Sequence, residues 1–555
     1  MKHSTFFLPI FLLFTLSICS FAQTPQMVHN FNPDGNWLAS GSPSNMIAMG
    51  SKLYFSDISN NSGKISLYES DGTDAGTFPL NITNMDISSY YYSMIELNGK
   101  LYFQATEVGV NNNYEPWISD GTEAGTYKIK DIYPNGGSIS QGSEMTVYKN
   151  EVYFKASDNV YDTHLWKTNG TAAGTVKVKN ISIRCCSNDK MIVFNNELYF
   201  CADDNTHGDE LWKTDGTTAG TVLVADISPG SYSSTPSQFT IMNNFLYFSA
   251  EGSGTGRELY KTNGTAAGTV LVKDINPGQD DSFDSDHPFI AYNSELYFNV
   301  LYDDFGRSKL FKSDGTAAGT IAFSDMSLAP WKKSTIYNGK LYFAAYPPNN
   351  GLLLCVTDGT EAGTKTLVDG SVTDITRLVN TPHDLTVYNG MLYYMAEYTR
   401  DYITYKQLMQ TDGTSEGTIP LTNERIYSQP GTKYNICVSN GHLFFEYGTQ
   451  LWKLTTTPPV NPPLSTGILN STAQENNITI YPNPASALVA VDFKDIKNVV
   501  SLSVYTSTGV LIKQIEIDPA VTSTWLDVQH MNSGLYYVVL MNASGEQLSK
   551  KLIKN

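Results

Sequence analysis

Short apolar runs, each bounded by glycine, asparagine or proline, follow one another along most of this chain, which is the pattern of β-strands joined by turns. The clearest unit lies between Met191 and Ile227. Runs at Met191–Phe194, Leu198–Ala202, Glu210–Thr214 and Val222–Ile227 predict four strands, A to D, with Asp215-Gly216-Thr217 turning C into D. The motif at that turn, Asp or Asn followed by Gly-Thr-x-x-Gly-Thr, begins at Asp71, Asp120, Asn169, Asp215, Asn263, Asp314, Asp358 and Asp412. These eight copies are spaced by 49, 49, 46, 48, 51, 44 and 54 residues, a period that means a repeat architecture. A second signature, Leu-Tyr-Phe or a close variant, recurs nine times from Leu53-Tyr54-Phe55 to Leu443-Phe444-Phe445. Before it stand Asn98-Gly99, Asn195-Asn196, Asn243-Asn244, Asn338-Gly339, Asn389-Gly390 and Asn440-Gly441. Such pairs between apolar runs signal hairpins, because a type I′ turn needs positive φ at both central residues.

Strands B and D read as continuous apolar runs, which suits sheets covered on both faces. Four antiparallel strands in each unit of about 48 residues predict a β-propeller. Its two ends complement each other. The last unit stops after Gln450–Leu454 with strands A to C, and Met27–Gly35 resembles the D strand and turn at Val270–Gly278. Nine A-B-C sets and nine D strands make nine blades, closed by the N-terminal strand. Past Leu454 the run Thr455–Pro463 cannot pair as an interior strand and reads as a semi-rigid linker. Strand-like runs resume at Ile478–Tyr481, Leu488–Phe493, Leu502–Thr506, Val510–Ile517 and Tyr536–Met541. The expected fold is all-β: a large β-propeller of about nine four-stranded blades, then a small Ig-like β-sandwich.

Composition adds an address. Lys2 and His3, the apolar run Phe6–Leu16 and the small-x-small site Ser20-Phe21-Ala22 predict a secretory signal cut after Ala22. A lipid-attachment box at Leu16–Cys19 is the rival reading, and bulky Ile18 counts against it. No other segment is apolar for long enough to span a bilayer, so the mature chain is expected to lack a transmembrane helix. The formal charge of -18 argues against nucleic acid or an anionic membrane surface as partner. Cys185, Cys186, Cys201, Cys355 and Cys437 remain in the mature chain, an odd number. Cys185 or Cys186 is placed to bond Cys201, or the adjacent pair to bond each other; the sequence leaves the choice open.

The repeated Asp is the first candidate for chemistry. It is better explained as a turn residue that hydrogen-bonds its own backbone, since a catalytic group is needed once and this one occurs throughout. Asp280, Asp281, Asp284 and Asp286 crowd one loop beside His287, and a hard cation such as calcium wants several carboxylate oxygens. Lack of glycine in mid-loop favours a solvated acidic loop instead. His164, His207, His287 and His383 lie in different repeats without metal-ligand spacing, and no nucleophile elbow or phosphate-binding loop is present. No catalytic residue or cofactor is therefore assigned. Antiparallel order puts the A–B and C–D turns on one rim and the B–C and D–A loops on the other. The second set varies, from residues 203–209 to 251–257 to 398–405, and variable loops on a rigid scaffold are where binding usually resides.

Two family resemblances sit on these residues. Glu210–Thr217 resembles the bacterial ELWxxDGT repeat family at every fixed position, and the likeness covers about residues 27 to 454. It implies a repeat and no activity. The tail looks like a type A C-terminal sorting domain of the type IX secretion system: Ile480-Tyr481-Pro482-Asn483-Pro484-Ala485, then Val504-Tyr505 with Gly509, Leu526-Asp527-Val528, Ser533-Gly534-Leu535-Tyr536, and the basic finish Lys550–Lys554. That resemblance implies export through the type IX machinery of a Gram-negative bacterium, read through residues 477–555, and a secreted or outer-surface location. The expected domains are a signal peptide 1–22, a propeller 23–454, a linker 455–476 and the sorting domain 477–555. The expected function is a non-catalytic binding or adhesion module for a glycan or protein on the B–C/D–A rim. The alternative is a propeller-fold polysaccharide hydrolase or lyase with its site at the channel mouth.

Overall fold

The computed structural model describes residues 23–31, 43–58, 65–82, 84–87, 94–110, 113–139, 144–159, 162–183, 191–283, 287–301, 308–329, 334–348, 351–367, 381–400, 403–422, 425–427, 436–448 and 450–456, and in the tail 478–483, 488–494, 496, 499–506, 511–517, 521–529, 531, 534–542 and 547–554. The chain divides into two compact units, Ala22–Thr456 and the tail Thr457–Asn555. The expected signal peptide and most of the linker lie outside the described residues.

Among the described residues the first unit holds nine antiparallel sheets, each with four strands in the order A-B-C-D. Blade 4 gives the plan: Ile192–Phe194, Glu197–Asp203, Asp209–Thr214 and Val222–Ala225. Blades 2, 7 and 8 add a short fifth strand at Met85–Asp86, Ser327–Leu328 and Arg425–Tyr427. The A–B hairpins turn through left-handed pairs such as Asn98 (φ 54°) with Gly99 (φ 71°) and Asn195 (φ 48°) with Asn196 (φ 60°). Lys149-Asn150 and Asn293-Ser294 make the same turn without glycine. In every blade the Leu-Tyr-Phe triplet, or its variant Val152-Tyr153-Phe154, Leu392-Tyr393-Tyr394 or Leu443-Phe444-Phe445, is buried. Each such side chain contributes roughly 1.5–3 kcal/mol, so the B strands form the core of the ring.

The D strands differ from expectation. They read as runs covered on both faces, yet in several blades their first residue is open: Val222 keeps 38% of its surface, and Tyr127, Val176, Val270 and Ile321 are similarly exposed. D is the outer edge of each blade, so its far side meets solvent where B lies between neighbours. Within 398–405, expected as a loop, residues 398–400 and 403–405 are strand instead. Met391–Arg400 pairs with Ile403–Thr411 up to Arg400↔Ile403, so the hairpin of blade 8 is longer than the others.

The ring closes as the ends of the sequence suggest, one residue out of the expected alignment. Gln23–His29 pairs antiparallel with Leu451–Thr456, and Met27 faces Trp452 where Leu271 of blade 5 faces Tyr260. The seam repeats contacts made inside the ring. Lys213 donates to the Gly264 carbonyl of the next blade at 3.1 Å and Lys261 to Gly315 at 2.8 Å; at the seam Lys453 of blade 9 donates to Gly72 of blade 1 at 2.7 Å. Tyr199 lies over Gly264 as Tyr247 lies over Gly315, and Phe444 occupies that place over Gly72. A continuous circle of like contacts distinguishes a propeller from a solenoid, whose end repeats would lack a neighbour.

The tail is a two-sheet antiparallel sandwich. One sheet orders Thr479–Tyr481, Leu488–Asp492 and Ser523–Asp527; the other orders Leu511–Glu516, Val499–Thr506, Gly534–Asn542 and Gln547–Lys554. Ser523–Asp527 and Gln547–Lys554 are strands that the apolar runs did not reveal, because solvent-facing residues interrupt their pattern. Val489, Val491, Leu502, Val504, Leu526 and Val538 fill the core between the sheets.

Candidate functional site

The eight repeated turns are self-contained. In blade 4, Asp215 Oδ1 accepts the Thr217 backbone N–H at 2.8 Å and its hydroxyl at 2.7 Å, while Gly220 N–H donates to Thr217 Oγ1 at 2.9 Å. The Thr221 hydroxyl donates to the Thr217 carbonyl at 2.6 Å. All eight copies repeat the Asp or Asn bond to the threonine N–H. Hydrogen bonds from the threonine hydroxyl and N–H hold Asp71, Asp215, Asp314 and Asp358 below the usual carboxylate range. These carboxylates serve the turn, and Lys149 of an A–B turn reaches the Asp215 carbonyl at 3.1 Å, which puts A–B and C–D turns on one rim.

The opposite rim gathers the B–C and D–A loops. A side chain on Gly208 of a B–C loop would collide with the Tyr232 carbonyl of the D–A loop, and one on Gly256 would meet the Asp280 carbonyl. Beneath these loops lies a clamp at the first residue of the Glu-Leu-Trp motif. Glu210 has no exposed surface, and its carboxyl accepts Ile227 N–H and Ser228 N–H at 3.0 Å and the Ser234 hydroxyl at 2.5 Å. Glu258 takes Ile275 N–H at 2.9 Å and the Ser282 hydroxyl at 2.5 Å; Glu115 takes Ile132 N–H at 3.0 Å and the Ser138 hydroxyl at 2.6 Å. Burial pushes Glu210 and Glu258 up to about 7, against the hydrogen bonds that pull them down. In three blades that carry another residue, that residue still ties to the same segment. His164 Nδ1 meets the Ile181 carbonyl at 2.8 Å, Gln407 donates to the Thr422 carbonyl at 3.3 Å, and Gln450 donates to Asn30 at 3.1 Å. Sequence reading took this Glu as part of a signature and missed its task, since its partners lie 17 to 24 residues downstream.

On that support sit varied surfaces. In blade 4, Asp204 Oδ1 accepts Thr206 N–H at 2.9 Å and Asp204 Oδ2 meets His207 Nδ1 at 3.0 Å; this bond raises the His207 pKa. Tyr232 stands beside them with 75% of its surface exposed. In blade 5, Arg257 is buried, donates to the Thr235 carbonyl at 2.9 Å and pairs with Glu251 at 3.0 Å. Asp280 and Asp281 are exposed, and Asp281 Oδ1 accepts the Arg257 backbone N–H at 2.8 Å. Asp284 and Asp286 lie outside the described residues, and among those described no group of three or more His, Cys, Asp or Glu is disposed to hold a metal. Blades 8 and 9 hold a denser cluster: His383 Nε2 lies 3.3 Å from Glu397, and the buried Lys406 pairs with the buried Glu446 of the next blade. Cys201 is disulfide-bonded, and Cys355 and Cys437 take part in no disulfide. Cys185 and Cys186, between which the sequence left the choice of partner open, lie outside the described residues.

Residues 479–555 match the secretion system C-terminal sorting domain family, so the tail is a type IX sorting domain and the protein is exported to the cell surface or beyond. No curated protein matches the chain. Solved structures with some likeness include puromycin hydrolase, at 13% identity over 65% of this chain and 58% of that one with a TM-score of 0.33. A prolyl endopeptidase aligns at 11% identity over 83% and 56%, TM-score 0.37. The β-propeller domain of the Trilobed protease from Pyrococcus furiosus aligns at 12% identity over 70% of this chain and 100% of that domain, TM-score 0.34. These scores are too low to carry an argument about this chain, so the propeller assignment rests on its own strand pairing. Among the described residues no helix is long and apolar enough to cross a membrane.

Proposed function

We propose that the exported propeller is a binding module that holds a glycan or a protein on its B–C/D–A rim. One observation carries this reading: a buried side chain at the same place in blade after blade fixes loops of differing length and sequence from below. Regular machinery that presents irregular loops is the arrangement of a recognition surface, and preorganised loops lower the entropy cost of binding. Tyr232, exposed beside His207, supplies a flat apolar face of the kind that stacks on sugars or apolar side chains.

The His383–Glu397 contact and the Lys406–Glu446 pair favour the second reading, a polysaccharide hydrolase or lyase, because acid–base chemistry needs such neighbours. A glycan array combined with a polysaccharide-degradation screen on residues 23–456 separates the two. Retention of one glycan class without product, lost in Tyr232→Ala, supports binding. New reducing ends or unsaturated products that vanish in Glu397→Gln support the enzyme.

A further inference from the structure

Strand C of blade 8, Ile403–Thr411, and strand B of blade 9, His442–Glu446, meet through Lys406 and Glu446, whose Nζ and Oε2 are in contact. Water is almost absent there, since Lys406 keeps 3% of its side-chain surface and Glu446 keeps 4%. The lysine–glutamate pairs of the other rim differ: Lys213 with Glu197 and Lys167 with Glu151 keep between 20% and 30% at each member. Two more titratable groups share the buried place. Glu397 stands directly opposite Lys406 in the ladder between strands B and C of blade 8, so both side chains leave the sheet on one face. His383 of strand A sets its Nε2 3.3 Å from Glu397 Oε2.

We infer that Lys406 and Glu446 condense to an amide, a covalent bond between blades 8 and 9. Out of water an ammonium beside a carboxylate is costly, and passing the proton from Lys406 to Glu446 leaves a neutral amine and a neutral carboxylic acid. The Nζ lone pair then attacks Cδ of Glu446. The bond from Cδ to one oxygen breaks, the nitrogen gives up a second proton, and that oxygen leaves as water. An ammonium and a carboxylate thus become an amide and one water, with no oxidant or outside reactant. Glu397 is the carboxyl placed to carry the second proton from nitrogen to the leaving oxygen, and His383 holds it there. Bulk water would favour hydrolysis, but groups fixed in contact act at effective concentrations of up to about 10⁵–10⁸ M while water is shut out. Blade 9 borrows its fourth strand from Gln23–His29, and the amide ties it to blade 8 whether or not that strand is in place. The bond needs no ligand, so it is independent of what the loop rim holds.

The test unfolds and reduces the purified full-length chain, digests it with trypsin and reads the peptides by tandem mass spectrometry. In the wild type the Lys406–Gln407 bond is expected to stay uncut, and a branched peptide lighter by one water than its two parts to carry both Lys406 and Glu446. Lys406→Met is expected to remove the branch. Glu446→Gln is expected to give the same branched peptide with release of ammonia in place of water. Glu397→Gln is expected to cut the linked fraction at least tenfold while the Leu408 amide, which donates to Thr422 at 2.9 Å, keeps its protection from hydrogen exchange. Complete cleavage after Lys406 in the wild type overturns the inference, as does a branch from Lys406 to any other carboxyl. A linked fraction unchanged in Glu397→Gln overturns the part given to Glu397. Should that variant lose protection at Leu408, Glu446→Gln decides: a branched peptide supports the bond, and two separate peptides overturn it.

Discussion

A carboxyl with no exposed surface and backbone N–H groups aimed at it couples the stability of the D–A loops to protonation. Glu210 and Glu258 are raised from an ordinary value of 4.5 to about 7, with burial the larger cause and their hydrogen bonds opposing it. A carboxyl whose pKa is higher folded than unfolded favours the fold while protonated. Its contribution is complete below about pH 4.5 and is lost as pH rises through about 7. The expected loss is on the order of 1–3 kcal/mol for each group. The thermal midpoint of the propeller should therefore fall between pH 5 and pH 8, and Glu210→Gln should fall less steeply over that range. A wild-type midpoint that rises with pH, relative to the variant, would mean that the N–H donors dominate instead. Glycine in the C–D turn makes a second expectation. A Cβ on Gly220 would sit 2.1 Å from Asp215 Oδ1, so Gly220→Ala has to break the turn's bonds and should cost about 2–4 kcal/mol in urea unfolding. Gly99, at φ 71° with nothing within 4 Å, should cost only about 1 kcal/mol when replaced by alanine.

Between one blade and the next, a single position shows how a strand and its loop choose each other. Glu stands at the head of strand C where the D–A segment offers N–H groups and hydroxyls, as with Ile227, Ser228 and Ser234. His164 and Gln407 stand there where it offers a carbonyl. Gln407→Glu should then set a carboxylate against the Thr422 carbonyl and destabilise blade 8 by about 1–3 kcal/mol, read as a lower thermal midpoint; an unchanged midpoint would remove the matching rule. The blade count and the A–B turns were legible because strand spacing and Asn-Gly pairs are local signals. The Glu clamp was not, since it links a strand to an irregular loop far along the chain. Exposure of the D strands was missed for another reason: an apolar run looks the same whether one face or two are covered, and only its place at the blade's edge decides. Extension of the blade 8 hairpin up to Arg400↔Ile403 escaped notice because Thr399, Arg400 and Thr404 resemble a loop until the partner strand is known to continue.

The whole ring depends on one join between residues far apart in sequence. Gln23–His29 completes blade 9, and Lys453, Phe444 and His29 hold blade 9 to blade 1, His29 meeting Asp74 at 2.7 Å. Every other seam is backed by a continuous chain, whereas this one can open by release of a single edge strand. Thr24 and Thr455 face each other across the join with hydroxyls 3.4 Å apart, so cysteines at both places are expected to form a disulfide. Such a bond would close a loop of more than four hundred residues, and stabilisation of up to about 5 kcal/mol follows if opening begins there. Oxidised Thr24→Cys with Thr455→Cys is therefore expected to melt several degrees above the wild type and to lose that gain on reduction, each compared with wild type under the same conditions because the native disulfide at Cys201 is reduced as well. A propeller stapled at its join but unchanged in melting would mean that unfolding starts at another blade. Failure of the two cysteines to bond at all would take away the pairing of Gln23–His29 with Leu451–Thr456, and with it the closed ring on which the two-rim geometry is built.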